Sequence, residues 1–229
     1  MINSQIIKER IKGLGADICG FAPVNRFNDA PKGFHPLNIY KECKTVIVFA
    51  IKVPVTSISA NNLVPYSHFG SVAINEVDML SIKIVRMLED LDIGCVPIPS
   101  DDPYEHWEPE RSYGRAILSL RHAGYLAGLG VLGKNTLLIN EKYGNMIQLG
   151  AVLVNVDLEG DSLAKYEGCI TDCQICLDSC PQEALDGITV NQKACRQHSI
   201  IKTEKGYTLK RCNICRKICP NALKVKINC

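Results

Sequence analysis

The chain has 229 residues, with 26 basic and 24 acidic side chains, a formal net charge of +2 and 46% hydrophobic residues. That length fits one large domain or a large and a small one. The near balance of charge gives no electrostatic argument for a membrane or for nucleic acid as a partner, although local basic patches leave nucleic acid open. The opening "MINSQIIKERIKGLG" lacks an apolar signal core and no apolar run is long enough to span a bilayer, so a cytoplasmic protein is expected.

In chain order, the pattern predicts a helix over 2–14 and a short buried strand over 16–24, "ADICGFAPV", ending at a proline. The β-branched run "TVIVFAIKV" (45–53) predicts a strand. Val77, Leu80, Ile84, Met87, Leu88 and Leu91 recur at helical spacing and predict a helix over 71–92, closed by Gly94. A strand over 95–99, a helix over 116–127 and a strand over 146–156 complete the series. This alternation predicts an α/β (α+β) layered domain. The polar, glycine-bearing stretch 157–168 reads as a linker. It divides the chain into an α/β domain for a cofactor or substrate (1–160) and a cysteine-rich module (161–229).

Of the 12 cysteines, eight lie between positions 169 and 219, and Cys19, Cys43, Cys95 and Cys229 are scattered. In a reducing cytosol, clustered cysteines read as metal ligands rather than disulfides. Cys229 is the last residue and so is no prenylation site. The motif C-x-x-C-x-x-x-C-P occurs twice, at Cys173, Cys176, Cys180, Pro181 and at Cys212, Cys215, Cys219, Pro220, and "PQEAL" against "PNALK" extends the repeat. Bacterial ferredoxins use a similar run for 4Fe-4S clusters, and its last cysteine ligates the other cluster. Cys169 supplies a first ligand to the first run, with one extra residue of spacing, and Cys195 supplies the second run across a loop. The crossover rule then gives Cys169, Cys173, Cys176 and Cys219 to cluster 1, and Cys180, Cys195, Cys212 and Cys215 to cluster 2. Two structural zinc sites, each held by four cysteines, are the competing reading, but zinc does not account for C-x-x-x-C-P after each pair. A thioredoxin-like C-x-x-C would need a βαβ context that this segment lacks. Two clusters on interleaved runs lie close together, in a ferredoxin-like two-centre wire.

The stretch "GLGVLGKNTLLI" (128–139) matches two phosphate-binding patterns: Gly128, Gly130 and Gly133 fit G-x-G-x-x-G, and Lys134 extends a G-x-x-x-x-G-K. Both patterns need a strand before and a helix after. Here Ala116, Leu120, Ala123 and Ala127 mark a helix before the loop, and "KNTLLI" reads as a strand after it. Asn135 also stands where a magnesium-binding hydroxyl is required. The glycines instead read as a helix C-cap and tight turn, with Lys134 and Asn135 exposed.

"AGLGVLGKNTLLINEKYGNMIQLGAVLVN", followed by the two cysteine motifs, resembles the epoxyqueuosine reductase and reductive dehalogenase superfamily. Its members carry an AGLG-x-x-G-(K/R)-N loop, a strand and two 4Fe-4S clusters with crossed ligation. The resemblance covers roughly residues 65 to 225. It implies an α/β domain that binds cobalamin, clusters that deliver electrons to the cobalt, and an oxidoreductase activity. Gly128, Gly130, Gly133, Lys134 and Asn135 would then lie near the corrinoid. Epoxyqueuosine reductases also carry an acidic proton donor upstream of the loop. Counting back from Gly130, its place falls on Gly114, where no carboxylate stands, and the chain lacks their C-terminal repeat extension for tRNA. A non-catalytic electron-transfer protein is the alternative function, and a zinc-stabilised binding module a third.

Tyr66, His68 and His122 are the residues that could donate protons. His122 and Arg121 read equally as a basic pair on an amphipathic helix. "SDDPYEHWEPE" (100–110), with the only tryptophan, reads as a pocket lining or a structured surface loop. Lys202, Lys205, Lys210, Arg211, Arg216 and Lys217 would solvate the module or dock an acidic electron donor such as ferredoxin or flavodoxin.

Overall fold

The computed structural model describes residues 3–220. Its elements are α1 (Ser4–Gly13), β1 (Ile18–Pro23), α2 (Pro36–Ile39), β2 (Thr45–Lys52), α3 (Leu63–Glu89), β3 (Cys95–Ile98), β4 (His106–Glu108), β5 (Tyr113–Arg115), α4 (Leu120–Leu126), β6 (Val131–Leu132), β7 (Leu138–Ile139), β8 (Ile147–Val154), α5 (Ile175–Asp178), α6 (Gln192–Ser199), β9 (Ile200–Lys202), β10 (Thr208–Lys210) and α7 (Ile214–Lys217). Cys229 and most of "PNALK" lie outside the described residues.

A four-stranded sheet in the order β1-β2-β8-β3 forms the middle layer, and every neighbouring pair runs antiparallel. The strand alternation of β2 explains why helices cover both faces, because successive side chains point to opposite sides. Ile47, Phe49 and Ile51 face α1 and α3, together with Ile7, Ile11, Val77, Ile84 and Leu88. Val46, Val48 and Ala50 face α4 and the loop after it, together with Ala123, Ala127, Leu129 and Leu138. The expected layering of helix and strand is therefore present, as a mixed α/β architecture on an antiparallel sheet.

Three elements differ from their sequence expectation; one is "KNTLLI", where residues 134–136 turn and only Leu138–Ile139 is strand. Helix α3 starts at Leu63, eight residues before the predicted 71, through the turn-like "PYSHFG". Asn62 caps it by accepting from the Val64 N–H, and Pro65 falls in the first turn, where a missing N–H costs no helical bond. Helix α4 starts at Leu120 rather than 116, because 113–115 pairs as a strand with 106–108.

The predicted linker is tied down rather than free. Asp161 accepts from Lys8 Nζ at 2.5 Å and from the Phe21 N–H at 2.8 Å, and Arg26 donates to the Asp161 carbonyl at 2.7 Å. Beyond it, among the described residues from 169 onward, only Cys176 and Ala184 are buried. Helix α5 packs against α7, and the β9–β10 hairpin packs against α3. No helix among the described residues is long and apolar enough to cross a membrane.

Candidate functional site

Helix α4 ends in a Schellman motif: the Leu129 N–H bonds the Gly124 carbonyl and the Gly128 N–H bonds that of Tyr125. Gly128 is left-handed, with φ +72°, and a Cβ there would stand 2.2 Å from the Ser162 carbonyl oxygen. At Gly130 a Cβ would stand 2.3 Å from the Ile139 carbonyl oxygen. These glycines bring backbone against backbone. The chain then makes the two-residue strands β6 and β7 around a turn from Gly133 to Thr136, closed by a Thr136 N–H to Gly133 carbonyl bond of 2.8 Å.

The corner of that turn points into the cysteine-rich segment. The Lys134 N–H donates to Cys169 Sγ at 3.4 Å, and Lys134 Nζ donates to the Cys173 carbonyl at 2.9 Å. Asn135 is buried rather than exposed as expected, and its Nδ2 donates to the Cys215 carbonyl at 2.9 Å. Asn145, also buried, donates to the Arg216 carbonyl at 3.4 Å, while its Oδ1 has no partner among the described residues. Thr136 holds a left-handed φ of +63°, and Arg121 donates to both its carbonyl at 2.7 Å and its hydroxyl at 2.9 Å. One loop of the α/β layer thus grips both cysteine runs.

The eight clustered cysteines fall into two groups in space. A cavity is lined by Cys169, Cys173, Cys176 and Cys219 together with Lys134 and Asn135. Burial, then the thiols of Cys219 and Cys169, and more weakly Cys173, push the Cys176 thiol up. Elsewhere burial, then Cys195 and Cys212, with Cys180 beyond them, pushes Cys215 up to about 11. Thiols crowded in this way resist ionisation until a positive centre sits among them. The described residues contain no group of three or more His, Cys, Asp or Glu side chains gathered closely enough for a single metal ion.

The loop 100–110 is a docking point. Trp107 and Tyr104 stack with centroids 6.1 Å apart, and Arg196 of α6 lies over both rings, at 5.0 and 5.8 Å. Gln192 of α6 accepts from the Gly114 N–H at 3.1 Å and donates to the Gly114 carbonyl at 3.0 Å. A Cβ on Gly114 would meet Trp107 and Tyr104 at 3.2 Å. Arg111 and Arg115 flank the ring of Tyr113, each 5.2 Å from its centroid.

The three sequence-level proton donors are scattered. Tyr66 packs beside Val53, Ile58 and Met146, and His68 is exposed on the first turns of α3. His122 sits on α4, 2.7 Å from the Ser119 hydroxyl. Burial first, then the Arg121 charge, holds its imidazole below the usual 6.5. As pH falls through 6.5 the unfolded chain takes up this proton and the folded chain does not, so the group works against the fold at acid pH. NMR titration is expected to place the His122 midpoint below 6.5, and R121Q to move it upward. Of the basic residues proposed for docking, Arg211 donates to the His198 carbonyl at 2.9 Å and Lys210 lies against Gly70 of α3. Lys202, Lys205 and Lys217 are exposed. Sequence reasoning did not single out Asn145 or Gln192. A buried amide in a turn and a helix-start glutamine carry no periodicity or motif.

No protein-family model matches the chain. A curated relative, an epoxyqueuosine reductase of Lactococcus garvieae, is 36% identical over 146 residues, which cover 59% of this chain and 39% of the relative. The chain thus spans about two fifths of that relative's length. Among solved structures, the epoxyqueuosine reductase of Streptococcus thermophilus matches with a TM-score of 0.68 and 20% identity, covering 97% of this chain and 66% of that one. An epoxyqueuosine reductase with an epoxyqueuosine-modified tRNA-Tyr stem loop matches at 0.64 and 19% identity, covering 95% of this chain and 64% of that one. A reductive dehalogenase structure, described in terms of B12-dependent dehalogenation, matches at 0.63 and 17% identity, covering 93% of this chain and 31% of that one. The resemblance read from the loop and the cysteines therefore stands: the chain is similar in sequence to epoxyqueuosine reductases and shares its fold with them and with reductive dehalogenases.

Proposed function

We propose that the chain is an iron–sulfur redox protein in which residues from about 161 onward hold two 4Fe-4S clusters. These pass electrons to an acceptor held by the α/β layer. The observation that carries this reading is the spatial grouping of the cysteines. The cavity collects Cys169, Cys173 and Cys176 from the first run with Cys219 from the second, and Cys215 is surrounded by Cys195, Cys212 and Cys180. That grouping is the crossed set expected of paired clusters. The clusters would supply one-electron transfer. The protein would supply thiolate ligands and an N–H donor to Cys169.

The acceptor is a substrate or the cobalamin implied by the relatives. In the loop, Gly128 and Gly130 lie against the chain's own backbone, and Lys134 and Asn135 are engaged with the cysteine runs, so a corrinoid there would share these residues with the cysteine-rich segment. RNA is the first substrate class to test, since one structural neighbour carries a tRNA stem loop. The Tyr104, Trp107, Tyr113, Arg111, Arg115 and Arg196 patch offers rings and guanidinium planes on which bases stack. Net charge gave no hint of it because the patch is local.

A second reading, a non-catalytic electron carrier, draws support from Gly114. It stands where the relatives' acidic donor would fall, and its backbone is occupied by Gln192. Anaerobic purification is expected to yield about eight iron and eight sulfide per chain; zinc without sulfide would sink the cluster reading. Cob(II)alamin added under reductant is expected to change its EPR spectrum on binding. No change at high micromolar cobalamin favours the carrier.

A further inference from the structure

The two groups of cysteines are not held alike. For the set built around Cys180, an N–H to sulfur bond comes from the segment itself, Ala184 to Cys180 Sγ at 3.3 Å. For the set built around Cys169, the donor is the Lys134 N–H, which belongs to the α/β layer. The same residue brings an ammonium group to the Cys173 carbonyl and lines the cavity of that set. Its neighbour Asn135 turns the other way, to the Cys215 carbonyl. Arg121 locks the turn from outside through Thr136.

One-electron reduction adds negative charge to a centre already surrounded by thiolates. A nearby cation and a donor to sulfur stabilise that reduced form and raise the reduction potential, more strongly where water is excluded. Resting on the cluster reading above, we propose that Lys134 is a positioning residue that raises the potential of the cluster held by Cys169, Cys173, Cys176 and Cys219. The loop that resembles a nucleotide motif is on this account an electrostatic seat. Its charge faces the cluster of the first set, while Asn135 touches the second only through a neutral amide.

The test is potentiometric EPR titration of the anaerobically purified full chain, with iron and sulfide counted in each sample. In Lys134→Gln one of the two cluster signals is expected to shift to a more negative midpoint while the other stays. The shifted signal must be the one missing from Cys176→Ala. Lys134→Arg, which keeps the charge, is expected to restore most of the shift, and Lys205→Gln, which removes an exposed charge from the same segment, to move neither signal. Selective loss of the Cys176 cluster from K134Q, with the other retained, also supports the assignment. The proposal is overturned if K134Q moves neither midpoint, moves both alike or empties both clusters, or if K134R behaves as K134Q. A wild-type chain without iron and sulfide overturns the cluster reading and this proposal together; a loaded wild type with an unmoved K134Q overturns this proposal alone.

Discussion

Cys219→Ala is expected to empty the cluster of the first cysteine run, although Cys219 belongs to the second. Iron should fall from about eight to about four per chain, and the EPR signal lost should be the one lost in Cys176→Ala. Cys180→Ala should do the reverse and remove the cluster that Cys212 and Cys215 hold. The reason is spatial: Cys219 lines the cavity of Cys169, Cys173 and Cys176. If each run held its own cluster, Cys219→Ala would spare the Cys176 signal, and that result would refute the crossed arrangement. Two single-ion zinc sites would show neither signal.

Gly128→Ala should cost the fold far more than Gly187→Ala. Both positions are left-handed, with φ of +72° and +91°, so both variants incur about 1–2 kcal/mol for an L side chain there. At Gly187 the nearest atom to a new Cβ is 3.7 Å away, an ordinary contact. At Gly128 it is the Ser162 carbonyl oxygen at 2.2 Å, a backbone atom beside the anchored Asp161. Forced overpacking adds about 1–3 kcal/mol, for a total of about 2–5 kcal/mol. Chemical denaturation of the two variants measures the difference. Equal midpoints would show that the loop does not press against the 161–162 segment.

The core strands and long helices were legible because their signals are local. β2 reads as a β-branched run bounded by Pro54, and α3 repeats its apolar residues at helical spacing. The reversed order of helix, loop and strand around Gly128–Gly133 was legible for the same reason and removed the nucleotide reading. Strand direction was not legible: nothing within β1, β2, β3 or β8 says that each neighbour runs antiparallel, since pairing is a long-range choice. The first turns of α3 were hidden because Pro65 and Gly70 look like breakers, and a proline in the first turn is harmless. The destination of Lys134 and Asn135 was also hidden. Their spacing shows a turn, but the cysteine run that fills it lies about 35 to 80 positions away. By contrast, the two cysteine runs themselves were legible from count and intervals.

From residue 169 to the last described position, burial reaches only Cys176 and Ala184. A stretch of that length with so small an apolar interior has little to set against its chain entropy. If it holds the proposed clusters, metal–sulfur bonds and the grip of the 133–136 turn would fix its shape, as in small domains that fold only when metallated. On the cluster reading, biogenesis of this protein would then be a two-step affair. The α/β layer can condense as soon as it is made, while the rest waits, reactive and open to oxidation, for iron and sulfide to be delivered.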